Sequence, residues 1–124
     1  MNAIGLVGTG PRSEIIAHLL DRSGSEIYLW SDEEVPESFP ERVESVQMTE
    51  LGHTPLIFVC LPLHRIRETI RDLGALLDGR HSLVHTTRSH EYATLTPISK
   101  IFEEETPTRR IGFVTGPMRR HDVL

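Results

Sequence analysis

The chain opens on a short apolar run, Ile4-Gly5-Leu6-Val7, that passes directly into Gly8-Thr9-Gly10-Pro11-Arg12-Ser13 and then into a segment of helical periodicity. A strand, a glycine turn and a helix in that order leave the backbone few alternatives. The first glycine permits a tight turn, and the second lets main-chain amides approach a bound group closely. The helix start then presents unpaired N–H donors and the positive end of its dipole, which suits a pyrophosphate. Gly8, Thr9, Gly10, Pro11, Arg12 and Ser13 are therefore the expected pyrophosphate binders. Two positions depart from the full pattern. Ser13 stands where a third glycine is expected, although a small residue such as alanine also serves there. Pro11 removes one backbone donor, and Arg12 either replaces it with a charge or points into solvent. How much nucleotide affinity survives Pro11 and Ser13 is left open by the residues alone.

Downstream, short apolar runs alternate with helical periodicities, the pattern of a parallel α/β sheet. Strands are predicted over residues 3–7, 26–30, about 43–47, 56–61, 82–86 and 110–114. Helices are predicted over roughly 12–22, 64–77 and 97–105, with a turn or single helical turn at Thr49-Glu50-Leu51-Gly52. Ile15, Ile16, Leu19 and Leu20 make one apolar stripe, ended by Gly24 as a C-terminal cap. Residues 31–42 are acidic and carry Pro36 and Pro40, so a loop is expected where this type of fold often has a helix. Pro97 suits the first turn of the last helix. The run Leu56 to Leu61 is apolar throughout, as a central strand covered on both faces should be. The expected fold is a Rossmann-type doubly wound, mostly parallel sheet in a single domain over residues 1–124.

Composition agrees and removes other classes. A chain of 124 residues with 38% hydrophobic residues can form one ordinary core. A formal charge of −5 offers no footprint for nucleic acid, and no basic helix or long apolar stretch points to a membrane. Residues 1–7 lack a basic leader, so a cytoplasmic protein is the expectation. The single cysteine, Cys60, lies in an apolar strand and is expected to be a buried, inert thiol.

In such sheets ligands bind beyond the carboxyl ends of the strands, at the switch of strand order. Asp32 stands about 20 residues past the turn, the spacing of a carboxylate that accepts adenosine ribose hydroxyls and disfavours a 2′-phosphate. Equally, Asp32 caps a solvated acidic loop with Glu33 and Glu34.

These landmarks suggest a family. Val7-Gly8-Thr9-Gly10, Leu29-Trp30, Cys60-Leu61-Pro62-Leu63-His64, His85-Thr86-Thr87-Arg88-Ser89-His90-Glu91 and Thr115-Gly116-Pro117-Met118 fall in the order of five family segments. Through them the chain resembles the N-terminal domain of NAD-dependent glycerol-3-phosphate dehydrogenase over nearly its whole length. The resemblance implies a dinucleotide partner, NAD, with Leu61, Pro62 and His64 walling the cofactor and Arg88 facing the substrate. Family members hold a lysine where Arg88 stands, and arginine keeps the charge but donates no proton at ordinary pH. Ser89 replaces a neighbouring glycine. The family's helical C-terminal domain, with its main catalytic lysine, is expected shortly after Met118, whereas this sequence ends at Leu124. No catalytic residue is therefore assigned.

Two accounts stay open: a piece of a full dehydrogenase, or a short protein that kept the nucleotide fold and lost the reaction. Ser13, Arg88, Ser89 and the contracted 31–42 segment favour the latter. In that case a non-enzymatic module acting in protein interaction or as a homodimer is the alternative function, with Phe113, Met118 and Leu124 as candidate contact residues.

Other constellations carry less. His64, His85, His90 and His121 are expected near the carboxyl edge of the sheet, but no pair has zinc-motif spacing, and no metal is assigned. No serine sits in a nucleophile elbow. Arg109-Arg110 and Arg119-Arg120 read as solvated pairs, and Glu103-Glu104-Glu105 reads as a solvated helix end that opposes the helix dipole.

Overall fold

The computed structural model describes residues 3–87, 91 and 94–114. Strand β1 (Ile4–Val7) leads into helix α1 (Pro11–Arg22), followed by β2 (Ile27–Trp30) and the short β3 (Val43–Ser45). A 3-10 helix (Met48–His53) precedes β4 (Leu56–Val59), and α2 (Leu63–Gly74) leads to β5 (Ser82–His85). Helix α3 (Ile98–Glu105) and β6 (Arg110–Phe113) complete the described elements. The six strands form one sheet in the order β3-β2-β1-β4-β5-β6, every pairing parallel. The expected doubly wound fold is borne out.

Side chains on a strand alternate between faces, so a central strand must supply two cores. On β4, Ile57 and Val59 join Val7, Leu83 and the apolar stripes of α2 and α3: Ile66, Ile70, Leu73, Ile98, Ile101 and Phe102. The intervening Phe58 and the following Cys60 face the other layer, with Leu6, Ile27, Leu29 and residues Ile16 and Ala17 of α1. This two-sided demand explains why Leu56 to Leu61 contains no polar residue.

The predicted helices hold, with local corrections. Ile15 and Ile16 are buried with Ser13 and Ala17, and Leu20 packs against the core, but Leu19 is 46% exposed and falls outside the expected stripe. Helix α1 stops as expected: Gly24 has φ +81°, and the Gly24 and Ser25 amides donate to the Asp21 and Leu20 carbonyls. Helix α2 ends at Gly74, three residues before the expected end, and Leu77 enters the core from a turn closed by its amide on the Gly74 carbonyl. Pro97 occupies the N-cap of α3, one position before the first turn. The 31–42 segment has no helix, and Phe39 anchors it in the α1-side core.

The acidic end of α3 is the main correction. Glu104 and Glu105 are ion-paired to α2. The Arg67 guanidinium donates to Glu105 at 2.7 Å, Glu104 at 3.0 Å and Glu91 at 2.7 Å, and Arg71 adds bonds to Glu105. Carboxylates at a helix C-terminus oppose its dipole; here cations from the neighbouring helix offset them. No helix among the described residues is long and apolar enough to cross a membrane.

Candidate nucleotide site

Strand register builds the site. Val7 pairs with Trp30 on one side and Val59 on the other, Val59 pairs with His85, and His85 pairs with Phe113. The carboxyl ends of five strands therefore lie in a row, and the residues after them form one rim. β1 lies at the switch point, since the chain builds outward from it through β2 and β3 on one side and β4 to β6 on the other. A cleft of about 1000 Å³ opens there, lined by Gly8 to Ser13, Ser31 to Glu33, Cys60 to Arg65, Thr86, Thr87 and Phe113.

The glycine turn is specified atom by atom. Gly8 has φ +104°, and a Cβ there would lie 2.2 Å from the Cys60 carbonyl oxygen, so no side chain fits between the first turn and β4. Gly10 is the N-cap of α1, and nothing lies within 4 Å of where its Cβ would project. That open space is what close approach of a phosphate requires. The first helical hydrogen bond runs from the Glu14 amide to the Gly10 carbonyl at 3.0 Å, so the Arg12 and Ser13 amides precede the helical ladder, where amides have no intrahelical acceptor. Pro11 sits at N1, where a missing donor costs the helix nothing. Pro11 and Arg12 are exposed on the cleft wall and leave the cradle at Gly10 clear. These residues fit a pyrophosphate.

Ser13 is fully buried, and its hydroxyl donates to the Gly8 carbonyl at 2.6 Å. The residue that breaks the glycine pattern thus ties the helix back to the turn. Its small size was readable in the sequence. Its bond was not, because the bond depends on where the Gly8 carbonyl points.

On the far side of β1, Asp32 lines the cleft where the ribose carboxylate was expected. It does not stand alone. Arg65, in the first turn of α2, donates a hydrogen bond to its carboxylate and lines the same cleft. Sequence reading missed Arg65, since nothing in its spacing connects it to Asp32 33 positions away. Leu61, Pro62 and His64 line the wall between, as expected from their place after β4.

At the opposite end, the His85 ring stacks on Phe113 with centroids 5.0 Å apart and tilts against Phe102 at 5.3 Å. Its Nδ1 lies 3.2 Å from the Thr87 carbonyl, and burial holds its pKa below the usual histidine range. Thr87 donates to the Leu61 carbonyl at 3.1 Å, which joins the β5 rim to the β4 rim. Cys60 is buried, with its thiol pushed up to about 12 chiefly by desolvation, so it is a neutral wall and not a nucleophile. Arg88, Ser89, His90, Thr115 to Met118, Arg119, Arg120, His121 and Leu124 lie outside the described residues. Among the described residues, no group of three or more His, Cys, Asp or Glu side chains could hold a metal ion.

No family model matches the chain. A glycerol-3-phosphate dehydrogenase [NAD(P)+] from Azotobacter vinelandii is 33% identical, over 92% of this chain and 38% of that protein. The crystal structure of glycerol-3-phosphate dehydrogenase from Coxiella burnetii superposes with a TM-score of 0.84 at 19% identity, covering 98% of this chain and 43% of that one. The Saccharomyces cerevisiae enzyme superposes with a TM-score of 0.80 at 14% identity, covering 98% of this chain and 44% of that one. The resemblance drawn from the five segments is borne out, and the chain spans about two-fifths of the length of the curated relatives it matches.

Proposed function

We propose that this chain is a nucleotide-binding module of the glycerol-3-phosphate dehydrogenase type, and that it holds NAD at the carboxyl edge of its sheet. The observation that carries this reading is the pairing of two glycines with opposite surroundings. Gly8 is locked against the Cys60 carbonyl, while Gly10 faces open space at the start of α1. The first shapes the turn, and the second admits a phosphate to the helix N-terminus.

The residues divide the work along the cleft. The amides of Gly10, Arg12 and Ser13 hold the pyrophosphate, and the Arg12 guanidinium adds charge from the cleft wall. Asp32 meets the adenosine ribose, and Leu61, Pro62 and His64 wall the dinucleotide. Thr86, Thr87 and Phe113 line the end reserved for the reactive ring. NAD, when bound, supplies the hydride chemistry. This chain's own residues bind it, orient it and keep its phosphates against the helix start. In a full enzyme the reaction would interconvert glycerol 3-phosphate and dihydroxyacetone phosphate, with Arg88 on the substrate side.

Calorimetric titration with NAD and NADH tests the reading. Micromolar binding supports it, and no heat of binding at millimolar ligand overturns it.

A further inference from the structure

Another groove lies away from the nucleotide cleft, beside the edge of the sheet that β3 closes. It has a volume of about 450 Å³ and is lined by Val35, Pro36, Phe39, Pro40 and Val43, with Glu37 and Glu41 among them. We propose that this groove is a docking site for a basic segment of a partner protein, one that carries lysine or arginine beside an apolar anchor residue.

The loop after β2 is built to hold the groove open. Two turns start at prolines: the Phe39 amide donates to the Pro36 carbonyl and the Val43 amide to the Pro40 carbonyl, each at 3.1 Å. Proline fixes φ, so such turns lose less entropy when they order. Phe39 is anchored in the α1-side core, and His18 of α1 donates to the Ser38 carbonyl at 2.8 Å. Val35 and Val43 are only partly covered, which leaves an apolar floor in contact with water.

Charge selects the occupant. Residues 32–50 carry seven carboxylates and one arginine, a stretch more negative than the whole chain, whose formal charge is −5. That arginine, Arg42, bonds the Asp21 carboxylate and carbonyl on α1 and leaves the groove acidic. Glu34, Glu37, Glu41 and Glu44 are exposed, and none forms an ion pair among the described residues. The negative field extends onto β2: charge from Glu26, then burial, then charge from Glu44 and Glu50 raises the Tyr28 phenol above its ordinary pKa. A second copy would set like charges face to face here, and an anionic ligand would be repelled. Lysine and arginine meet both demands, since their apolar stems cover the valines while their heads reach the carboxylates.

The test titrates a short synthetic peptide that alternates lysine with leucine into the isotopically labelled chain, followed through backbone amide shifts by NMR. The shifts should saturate, concentrate in residues 35–45 and weaken as salt is raised. The same peptide with serine for leucine should bind about tenfold more weakly, and the peptide with glutamate for lysine should not bind. Glu37→Gln combined with Glu41→Gln should weaken the lysine–leucine peptide by about fivefold, with the thermal midpoint as a check on folding. Glu68→Gln combined with Asp72→Asn removes the same charge from exposed positions of α2 and should leave binding unchanged. Equal weakening in the two double variants, equal binding of the serine peptide, or shifts scattered over acidic residues elsewhere would reduce the effect to net charge and overturn the groove. An absence of shifts at millimolar peptide overturns it as well. Self-association of the chain through residues 35–45 would put a second copy in the groove and overturn the basic partner.

Discussion

Ser13 is the residue at which the sequence pattern and the folded chain part company most usefully. Read as a letter in a glycine motif it is a defect, yet its buried hydroxyl closes a 2.6 Å bond onto the carbonyl of the residue that opens the turn. Replacing it by alanine keeps the Cβ, removes the hydroxyl and leaves the Gly8 carbonyl without that donor. Ser13→Ala should lower stability by about 1 kcal/mol, the usual net contribution of such a bond, measured by urea denaturation. A loss within error of zero would mean that the bond is incidental. Gly8, Gly10 and Asp32 were legible as single positions because their requirements are local: a backbone turn, an open approach, a spacing. Arg65 was not legible, because its importance comes from a partner brought near by the fold.

At the level of elements, periodicity located every strand and helix that the structure describes and misjudged what their ends do. Residues 103–105 looked like a solvated acidic run, but Glu104 and Glu105 clasp Arg67 of α2 together with Glu91, which lies beyond β5. Long-range charge pairing leaves no periodic trace, so it could not be read from spacing. Hydrogen bonds from Arg67 and then Thr94 hold the Glu91 carboxyl below its ordinary pKa, and hydrogen bonds from Arg71 and then Arg67 do the same for Glu105.

The sign of the pH effect follows. A carboxylate whose folded pKa is depressed contributes stability in full above its unfolded pKa, near 4.3, and loses it as pH falls through the lower folded value. Arg67→Gln should therefore lower the thermal midpoint by a few degrees at pH 7, and the gap from wild type should shrink as pH falls below about 4. A midpoint difference that persists unchanged into acid would contradict the ion-pair account and point to packing of the arginine stem.

For the molecule as a whole, strand order and the alternation of buried side chains place five carboxyl ends in one rim, with the strand that carries the glycine turn at the switch point. That architecture was readable from the order of apolar runs, since Leu56 to Leu61 could only be a strand covered on both faces. The cleft itself was readable only in outline, because its depth depends on the empty space in front of Gly10. In the proposed function that space belongs to a phosphate. The most direct measurement is NAD binding by calorimetry to the wild type and to Gly10→Thr, compared with their thermal midpoints. Threonine serves as an N-cap about as well as glycine, and its Cβ meets no protein atom within 4 Å, so the midpoint should be unchanged. NAD affinity should fall by about tenfold or more, or at least ~1.4 kcal/mol, because the added atoms occupy the phosphate's place. Equal NAD affinity in the two proteins would contradict the account, since the ligand would then be bound somewhere other than the helix start.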